Sequence, residues 1–268
     1  MKKSQACIIL GLLLLITVSA DAQRWKSRRY EAFVGLGTAN SYGDIGGHIN
    51  AENAYGLKDI QLTTTRPALT VGARYKFNGV MAAKLNITAG RISGNDKNSK
   101  NEDTRDYSFK ATIIESSLMY EYYILSEVRT LPSGALYNKN GMINNIFDIN
   151  LYLFAGFGTV YSASKVLDRD GNIVDWDIYS THPRGVDLPK LGLVIPVGIG
   201  AKYIWSNSLS FGAEFGRRFT NYDYLDGYSS MYSESNDLYD FLTFSLIYKV
   251  PTDRMGRPIL KNTSKFRL

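Results

Sequence analysis

Side chains alternate between two rows along residues 68–90, on either side of an Asn-Gly pair. Before the pair, every second residue is apolar: Leu69, Val71, Ala73, Tyr75 and Phe77. The alternate positions form a second, more polar row: Thr70, Gly72, Arg74 and Lys76. A period of two residues indicates β-strands. Asn78-Gly79 between two such runs predicts a hairpin with a type I′ turn, because this turn needs positive φ at both central residues.

Six further segments have strand character, which predicts eight strands in all. Beside the two strands of this hairpin they are 30–40, 107–123, 148–161, 191–203, 208–219 and 239–250. The alternation of Phe109, Ala111 and Ile113 slips near Glu115, which predicts a β-bulge there, and Pro196 marks a second candidate bulge. The count rises to ten if 130–140 or 165–177 contribute strands.

The connections differ in length between the two ends of the strands. Four are long and polar, at 41–65, 93–106, 162–190 and 220–238, whereas Asn78-Gly79 and Trp205-Ser206-Asn207 are tight. Long loops on one side and short turns on the other are typical of outer-membrane β-barrels, in which the short turns are periplasmic. An aromatic girdle is expected at the periplasmic strand ends, formed by Tyr75, Phe77, Tyr203, Trp205 and Tyr248.

The N-terminus has the pattern of a secretory signal peptide. Lys2 and Lys3 precede an apolar run at 6–18, and Ala20-Asp21-Ala22 is an A-x-A cleavage site. The expected organisation is a signal peptide at 1–22, a barrel at 23–250 and a basic periplasmic tail at 251–268. The chain is therefore expected in the outer membrane. Its single cysteine lies within the signal peptide, which excludes a disulfide, a thiol nucleophile or a thiolate metal site in the mature chain.

These patterns predict an all-β fold, a transmembrane antiparallel up-and-down β-barrel of eight strands with long extracellular loops. Its apolar rows would face lipid and its polar rows the lumen. The alternative, a soluble barrel or sandwich, would bury the apolar rows instead. On the membrane interpretation the lumen contains Glu31, Arg74, Lys84, Lys110, Lys202, Glu214 and Arg218. Side chains just fill an eight-stranded barrel, so these are expected to be structural ion pairs; an ion path is the alternative.

Two segments on the periplasmic side break the rule of short turns. They are 124–147, between the fourth and fifth strands, and the tail at 251–268. Their candidate contacts with a periplasmic partner are Arg129, Lys139, Arg254, Arg257, Lys261, Lys265 and Arg267. A loose turn and a disordered tail are the alternative interpretation.

Residues with catalytic chemistry are sparse. His48 and His182 are the two histidines, both in predicted outer loops, and no strand places a histidine beside a serine in phase, so no enzymatic activity is expected. The carboxylates of 168–172 lack the terminal glutamate of a calcium loop, and Val166-Leu167 and Ile173-Val174 around them favour a hairpin tip. No metal, cofactor or small-molecule substrate is expected. The net charge of +6 is spread along the chain and indicates no nucleic-acid partner.

Several blocks resemble the PorG-like outer-membrane barrels of Bacteroidetes, which are linked to type IX secretion. They include "YEAFVGLGTANSYGDIGG", "TTTRPALTVGARYKFN", "LVIPVGIGAKY" and "EFGRRFTNYDYLDGYSSMY", in the same order as in the family. The resemblance implies a component of the secretion and gliding machinery, placed in outer-membrane lipid above a periplasmic ring of the PorK lipoprotein and PorN. The expected function is a scaffold that docks this ring. The alternative is a small pore or a surface-binding barrel that acts through loops 41–65 and 162–190.

Overall fold

Eight antiparallel strands form one closed barrel in the computed structural model. The structure describes residues 28–43, 45, 64–96, 106–125, 149–174, 190–228, 236–253 and 257–259. The strands are β1 Tyr30–Tyr42, β2 Arg66–Lys76, β3 Met81–Asn95, β4 Ser108–Leu125, β5 Ile149–Leu167, β6 Leu191–Ile204, β7 Leu209–Thr220 and β8 Leu238–Val250. Each strand pairs with the next, and β1 pairs with β8 from Tyr30–Val250 to Tyr42–Leu238. The predicted eight-stranded up-and-down barrel is confirmed.

The outer face of the barrel is a band of exposed apolar side chains. Leu36, Phe157 and Ile199 are 70%, 67% and 58% exposed. On β4 the band runs from Ile114 to Ile124, about 33 Å along the strand and about 25 Å along the membrane normal at a tilt of ~40°. Soluble monomers rarely expose an apolar surface of this extent. The apolar rows therefore face lipid, which makes the fold a transmembrane barrel and excludes the soluble alternative.

The end of the barrel that contains Tyr30, Val250 and the two tight turns is called here the turn end, and the opposite end the loop end. Between β2 and β3, the Phe77 N–H donates to the Met81 carbonyl at 3.0 Å, and the Val80 N–H donates to Asn78 Oδ1 at 2.8 Å. Among the described residues positive φ occurs at Asp106, Gly171 and Gly227, and not at Asn78 or Gly79. The predicted type I′ turn is therefore wrong, because the side chain of Asn78 organises a four-residue connection instead.

The second tight turn, between β6 and β7, lies where the sequence placed it. Ser206 Oγ accepts hydrogen bonds from the Ser208 and Leu209 N–H groups, at 3.2 and 3.0 Å. Aromatic side chains surround this end of the barrel on the outer face. Phe77, Tyr203, Trp205 and Tyr248 are each about half exposed or more, and Tyr75 packs on Tyr30 and Phe77 with ring centroids 5.1 and 5.4 Å apart. The turn end thus has the aromatic belt expected at a membrane interface.

Strand β4 corrects two predictions. It pairs with β5 without interruption from Ser108 to Tyr123, and its register shift lies between Tyr123 and Leu125, so the predicted bulge near Glu115 is wrong. Phe109, Ala111 and Ile113 point into the barrel in the same phase as Glu115. Lys110 points outward and is exposed, so its predicted place in the lumen is also wrong. The physical reason is that this half of the lumen is apolar, so that apolar residues mark the inner face there.

The two other irregularities predicted from the sequence are also resolved. The ladder between β5 and β6 has no partners opposite Pro196, yet it continues in the same register on both sides of the gap, so Pro196 marks no bulge. Residues 165–167 belong to β5, and Leu167 bridges Ile173 across a hairpin tip at 168–172, so 165–177 adds no separate strand among its described residues. The segment 130–140 lies outside the described residues. The described part of the chain contains no helix long and apolar enough to span a membrane.

Candidate functional site

The turn-end half of the lumen contains a network of buried charges centred on Arg74. This side chain projects inward from β2, opposite Glu31 of β1 and Lys84 of β3. Its guanidinium nitrogens lie 2.9 Å from Glu31 Oε2, 2.6 Å from Glu121 Oε2 and 3.2 Å from Glu214 Oε1. Arg74 is 2% exposed, so three carboxylates from three separate strands converge on one buried cation.

Each carboxylate of the network has a second partner. Glu31 also contacts the ammonium groups of Lys76 and Lys202, at 2.8 and 2.9 Å. Glu214 contacts Lys84 and accepts a hydrogen bond from the Tyr152 hydroxyl at 2.6 Å. Glu121 accepts one from the Tyr123 hydroxyl at 2.9 Å. The network therefore links strands on opposite sides of the barrel, and removal of any one member leaves another buried charge with fewer partners.

Aromatic rings fill the space between these charges. The Lys84 ammonium lies 4.9 Å from the centre of the Phe33 ring, and the Lys202 ammonium lies 5.4 Å from that of Tyr123. Such cation–π contacts stabilise cations that are removed from water. The bulk of these rings is accommodated by glycines on neighbouring strands: Tyr152 lies opposite Gly200, where an added Cβ would approach its ring to 2.3 Å.

Positive charge exceeds negative charge in this half of the lumen. Among the described residues its buried cations are Arg74, Lys76, Lys84, Lys202 and Lys249, and its carboxylates are Glu31 and Glu121, which are buried, and Glu214, whose side chain is 12% exposed. At the rim of the same end, Arg28 donates a hydrogen bond to Ser208 and Arg29 one to the Tyr75 hydroxyl. The turn end of the barrel is therefore basic, which favours an anionic surface as its neighbour.

The loop-end half of the lumen is mostly apolar. It is packed with buried side chains of the strands, which include Ala68, Ile92, Phe109, Ala111, Ile113, Val160, Val194 and Phe241. Charged groups are also buried there among the described residues. Arg218 lies 3.4 Å from Glu115, which also accepts hydrogen bonds from Tyr239 and Ser117 at 2.8 Å each, and Asp226 and Asp237 are buried at the cap. The pair of Arg218 and Glu115 separates the apolar half from the charged network.

Residues 221–228, which follow β7, close the loop end of the lumen and are called here the cap. Tyr222, Leu225 and Tyr228 of the cap are buried in the apolar cluster. The Ser162 hydroxyl donates to the Leu225 carbonyl at 3.2 Å, and the Leu225 N–H donates to Asp237 at 2.7 Å. Burial raises the pKa of the Tyr222 phenol to about 12. The cap is therefore an integral part of the packed interior.

The structure brings together six of the seven residues predicted for the lumen. Glu31, Arg74, Lys84, Lys202 and Glu214 belong to the charged network, and Arg218 pairs with Glu115. Sequence reasoning placed Lys76 in the lumen-facing row of β2 but not among the ion pairs, and it missed Lys249, Glu115, Glu121 and Tyr152. Lys249 follows the alternation of its own strand and was detectable, whereas the two glutamates were hidden by the misread phase of β4.

Of the predicted partner contacts the structure describes Arg257. Its side chain is exposed, its backbone N–H donates to Asp253 Oδ1 at 2.8 Å, and Thr252 forms an isolated bridge with Pro258. The other candidates lie outside the described residues, namely Arg129, Lys139, Arg254, Lys261, Lys265 and Arg267. His48, His182 and the segment 1–22, which is predicted to be a signal peptide, also lie outside the described residues. Within the described ranges no group of three acidic, histidine or cysteine side chains is arranged to hold a metal.

Comparison with known proteins finds likeness in structure and none in sequence families. No family model and no curated protein matches the chain. Neisserial surface protein A (NspA) is 10% identical over 82% of this chain and 96% of that chain, with a TM-score of 0.40. A major outer membrane protein from Thermus thermophilus is 13% identical over 81% and 98%, with a TM-score of 0.39. The outer membrane protein OprG from Pseudomonas aeruginosa is 10% identical over 83% and 94%, with a TM-score of 0.32.

Proposed function

We propose that this chain is an outer-membrane barrel that acts as a scaffold of the type IX secretion and gliding machinery and docks a periplasmic ring at its turn end. The observation that carries the proposal is the filled lumen. Arg74, Lys84 and Lys202 are at most 2% exposed, and the cap closes the other half. With its interior occupied by structural side chains, the barrel is expected to act through its ends and its outer face.

The turn end is the better candidate for docking. In outer-membrane barrels the end with short turns lies in the periplasm. This end is basic in the lumen and at the rim, and the tail that follows it adds Arg257 among the described residues. A periplasmic partner with an acidic face would complement this charge. The resemblance to PorG-like barrels supplies the proposed identity of that partner, a ring that resembles PorK and PorN.

Affinity purification in mild detergent tests the docking function. The full chain with an extracellular-loop tag is compared with a variant that lacks residues 260–268 and with a second variant that carries R257Q as well. The scaffold function predicts that the ring proteins co-purify with the full chain and are lost stepwise from the two variants, while heat-modifiable migration on gels shows that both variants still fold. A barrel that purifies without ring proteins in several detergents would refute it.

Planar-bilayer conductance separates the scaffold from a pore. We expect no steady open channel, because the charged network and the cap fill the lumen. L225E, which disturbs the apolar packing of the cap, is the comparison variant: it should also give no steady channel, because the charged network still fills the turn-end half. A steady conductance from the unaltered chain would favour the pore instead.

A further inference from the structure

Two lysines face each other on the outer face of the barrel above the apolar band. Lys110 of β4 and Lys165 of β5 are direct partners in the ladder, and both side chains are exposed. Paired residues of neighbouring strands have Cα atoms about 5 Å apart, and like charges in this position are destabilising. Arg91 of β3 is exposed on the same face, one step lower, where it pairs with Thr112. Three cations thus converge on one small patch.

These cations differ from another outward-facing arginine of the loop end. Arg217 makes two contacts of 2.9 Å with Asp240 and is thereby neutralised. Among the described residues no carboxylate contacts Arg91, Lys110 or Lys165 within ion-pair distance. The nearby Asp106 lies 3.5 Å from Arg169 of the hairpin tip instead. Among the described residues the patch therefore carries positive charge without a counterion, whereas Arg217 at the same end is paired with Asp240.

The distance of the patch from the apolar band determines which layer of the membrane surrounds it. The last exposed apolar pair of these two strands is Ile114 with Tyr161, and the lysine pair lies four residues beyond it. Four residues correspond to about 13 Å along the strand and about 10 Å along the membrane normal at a tilt of ~40°. Arg91, two residues beyond that apolar row, lies about halfway. Arg91 therefore lies within the layer of lipid headgroups, which extends roughly 5–7 Å beyond the hydrocarbon on each side. The backbone of the lysine pair lies just above that layer, and the long lysine side chains are able to reach back to it.

We propose that Arg91, Lys110 and Lys165 form a binding site for a phosphorylated headgroup of a lipid in the outer leaflet. A phosphate between the two lysines neutralises their mutual repulsion, because its oxygens accept charge-assisted hydrogen bonds from both ammonium groups. Arg91 contacts the same headgroup from the membrane side, and the acyl chains lie along Ile114 and Tyr161. The site rests on the proposed outer-membrane location, and it is independent of docking at the turn end.

Binding of bisphosphorylated lipid A to the purified full chain in neutral detergent tests this site, with native mass spectrometry as the readout. The variant K110Q/K165Q removes the two facing charges. R169Q/K190Q is the matched control, since it removes two exposed cations of the loop end that are outside the patch. We expect the affinity to fall roughly 25-fold in K110Q/K165Q, about fivefold for each lysine, and to change less than about twofold in the control.

Two further ligands identify the source of the phosphate. Dephosphorylated lipid A is expected to bind no better to the unaltered chain than to K110Q/K165Q, and millimolar inorganic phosphate is expected to leave bound lipid A in place. Equal binding of lipid A to K110Q/K165Q, equal binding of the dephosphorylated lipid, or displacement by inorganic phosphate would each overturn the site. The two proposals can fail separately. If the purified chain binds lipid A but no ring proteins co-purify with it, the docking function is refuted and the lipid site stands.

Folding without lipid gives an independent readout. Because the facing lysines repel each other when no anion is present, K110Q/K165Q should unfold at the same or a higher denaturant concentration than the unaltered chain in lipid-free neutral detergent. Added lipid A should then stabilise the unaltered chain and not the variant. A variant that is less stable without lipid would indicate a structural role for the lysines and overturn the proposal.

Discussion

Removal of the guanidinium of Arg74 should leave Glu121 as an isolated buried charge. In R74M the side chain keeps much of its volume and loses its charge. Glu31 retains Lys76 and Lys202, and Glu214 retains Lys84 and Tyr152. Glu121 retains a hydrogen bond from Tyr123 and no cation among its described contacts. The effect of R74M should therefore arise mainly from this one carboxylate.

The expected magnitude follows from the burial of the pair. Arg74 and Glu121 have side chains that are 1% and 0% exposed, and the loss of one partner from such a pair destabilises by about 3–5 kcal/mol. E121Q should destabilise by only about 1–2 kcal/mol, because Arg74 keeps two carboxylates and the amide still accepts a hydrogen bond. R74M/E121Q should be more stable than R74M by about 2 kcal/mol, since the charge left unpaired is removed with its partner.

Urea unfolding of the barrel in lipid vesicles, followed by tryptophan fluorescence and by heat-modifiable migration on gels, measures these free energies. R169M is the control: its side chain is 83% exposed, so its free energy of unfolding should change by less than about 0.5 kcal/mol. If R74M lies within about 1 kcal/mol of the unaltered chain, or if R74M/E121Q is no more stable than R74M, then Arg74 is not the centre of the network and the reasoning from burial fails.

The remaining predictions concern the lipid-facing wall, the cap and the hairpin tip. Leu118 lies midway along the apolar band, so L118K should destabilise the folded barrel in vesicles by about 2–4 kcal/mol, against about 0–1 kcal/mol for N207K at the turn end; equal values would contradict the assigned face. Tyr222 has its pKa raised to about 12 by burial, so the stability that this group contributes should be complete below about pH 10 and lost as the pH rises through 12. Unfolding midpoints measured against pH should show this loss in the unaltered chain and a flatter profile in Y222F. Gly171 has φ of +81°, so G171A should destabilise the tip by about 1–2 kcal/mol, and unchanged trypsin cleavage there would contradict this.

The strands and their faces were predictable where one physical rule applies along a whole strand. On β2 an apolar row faces lipid and a polar row faces the lumen throughout, so Arg74 was placed correctly from its neighbours alone. On β4 the rule changes midway. Its loop-end half has Phe109 and Ile113 inside and Lys110 outside, because the cap makes this part of the lumen apolar and the outer face has left the hydrocarbon core of the membrane.

The ion pairs of the charged network could not be predicted from the sequence, because their partners lie on strands that are far apart along the chain. Lys202 of β6 reaches Glu31 of β1, 171 positions away, across the barrel. Alternation determines that both side chains point inward, but the partner of each depends on register and on the shear of the closed sheet. The turn at Asn78-Gly79 failed for a local reason: the dipeptide is compatible with a type I′ turn, yet a bond from the Val80 N–H to the Asn78 side chain stabilises a longer connection.

The tight packing of both halves of the lumen determines whether binding at one end of the barrel can affect binding at the other. Arg74 is held by three carboxylates and the cap by a packed cluster, so we expect each half to keep one arrangement when a ligand binds at either end. Coupling between sites needs a two-state element. A periplasmic partner at the turn end and a lipid phosphate at Lys110 should therefore bind independently, and their substitutions should have additive effects. On the proposed scaffold function, the barrel would act as a rigid anchor that holds its basic turn end in a fixed position for the partner.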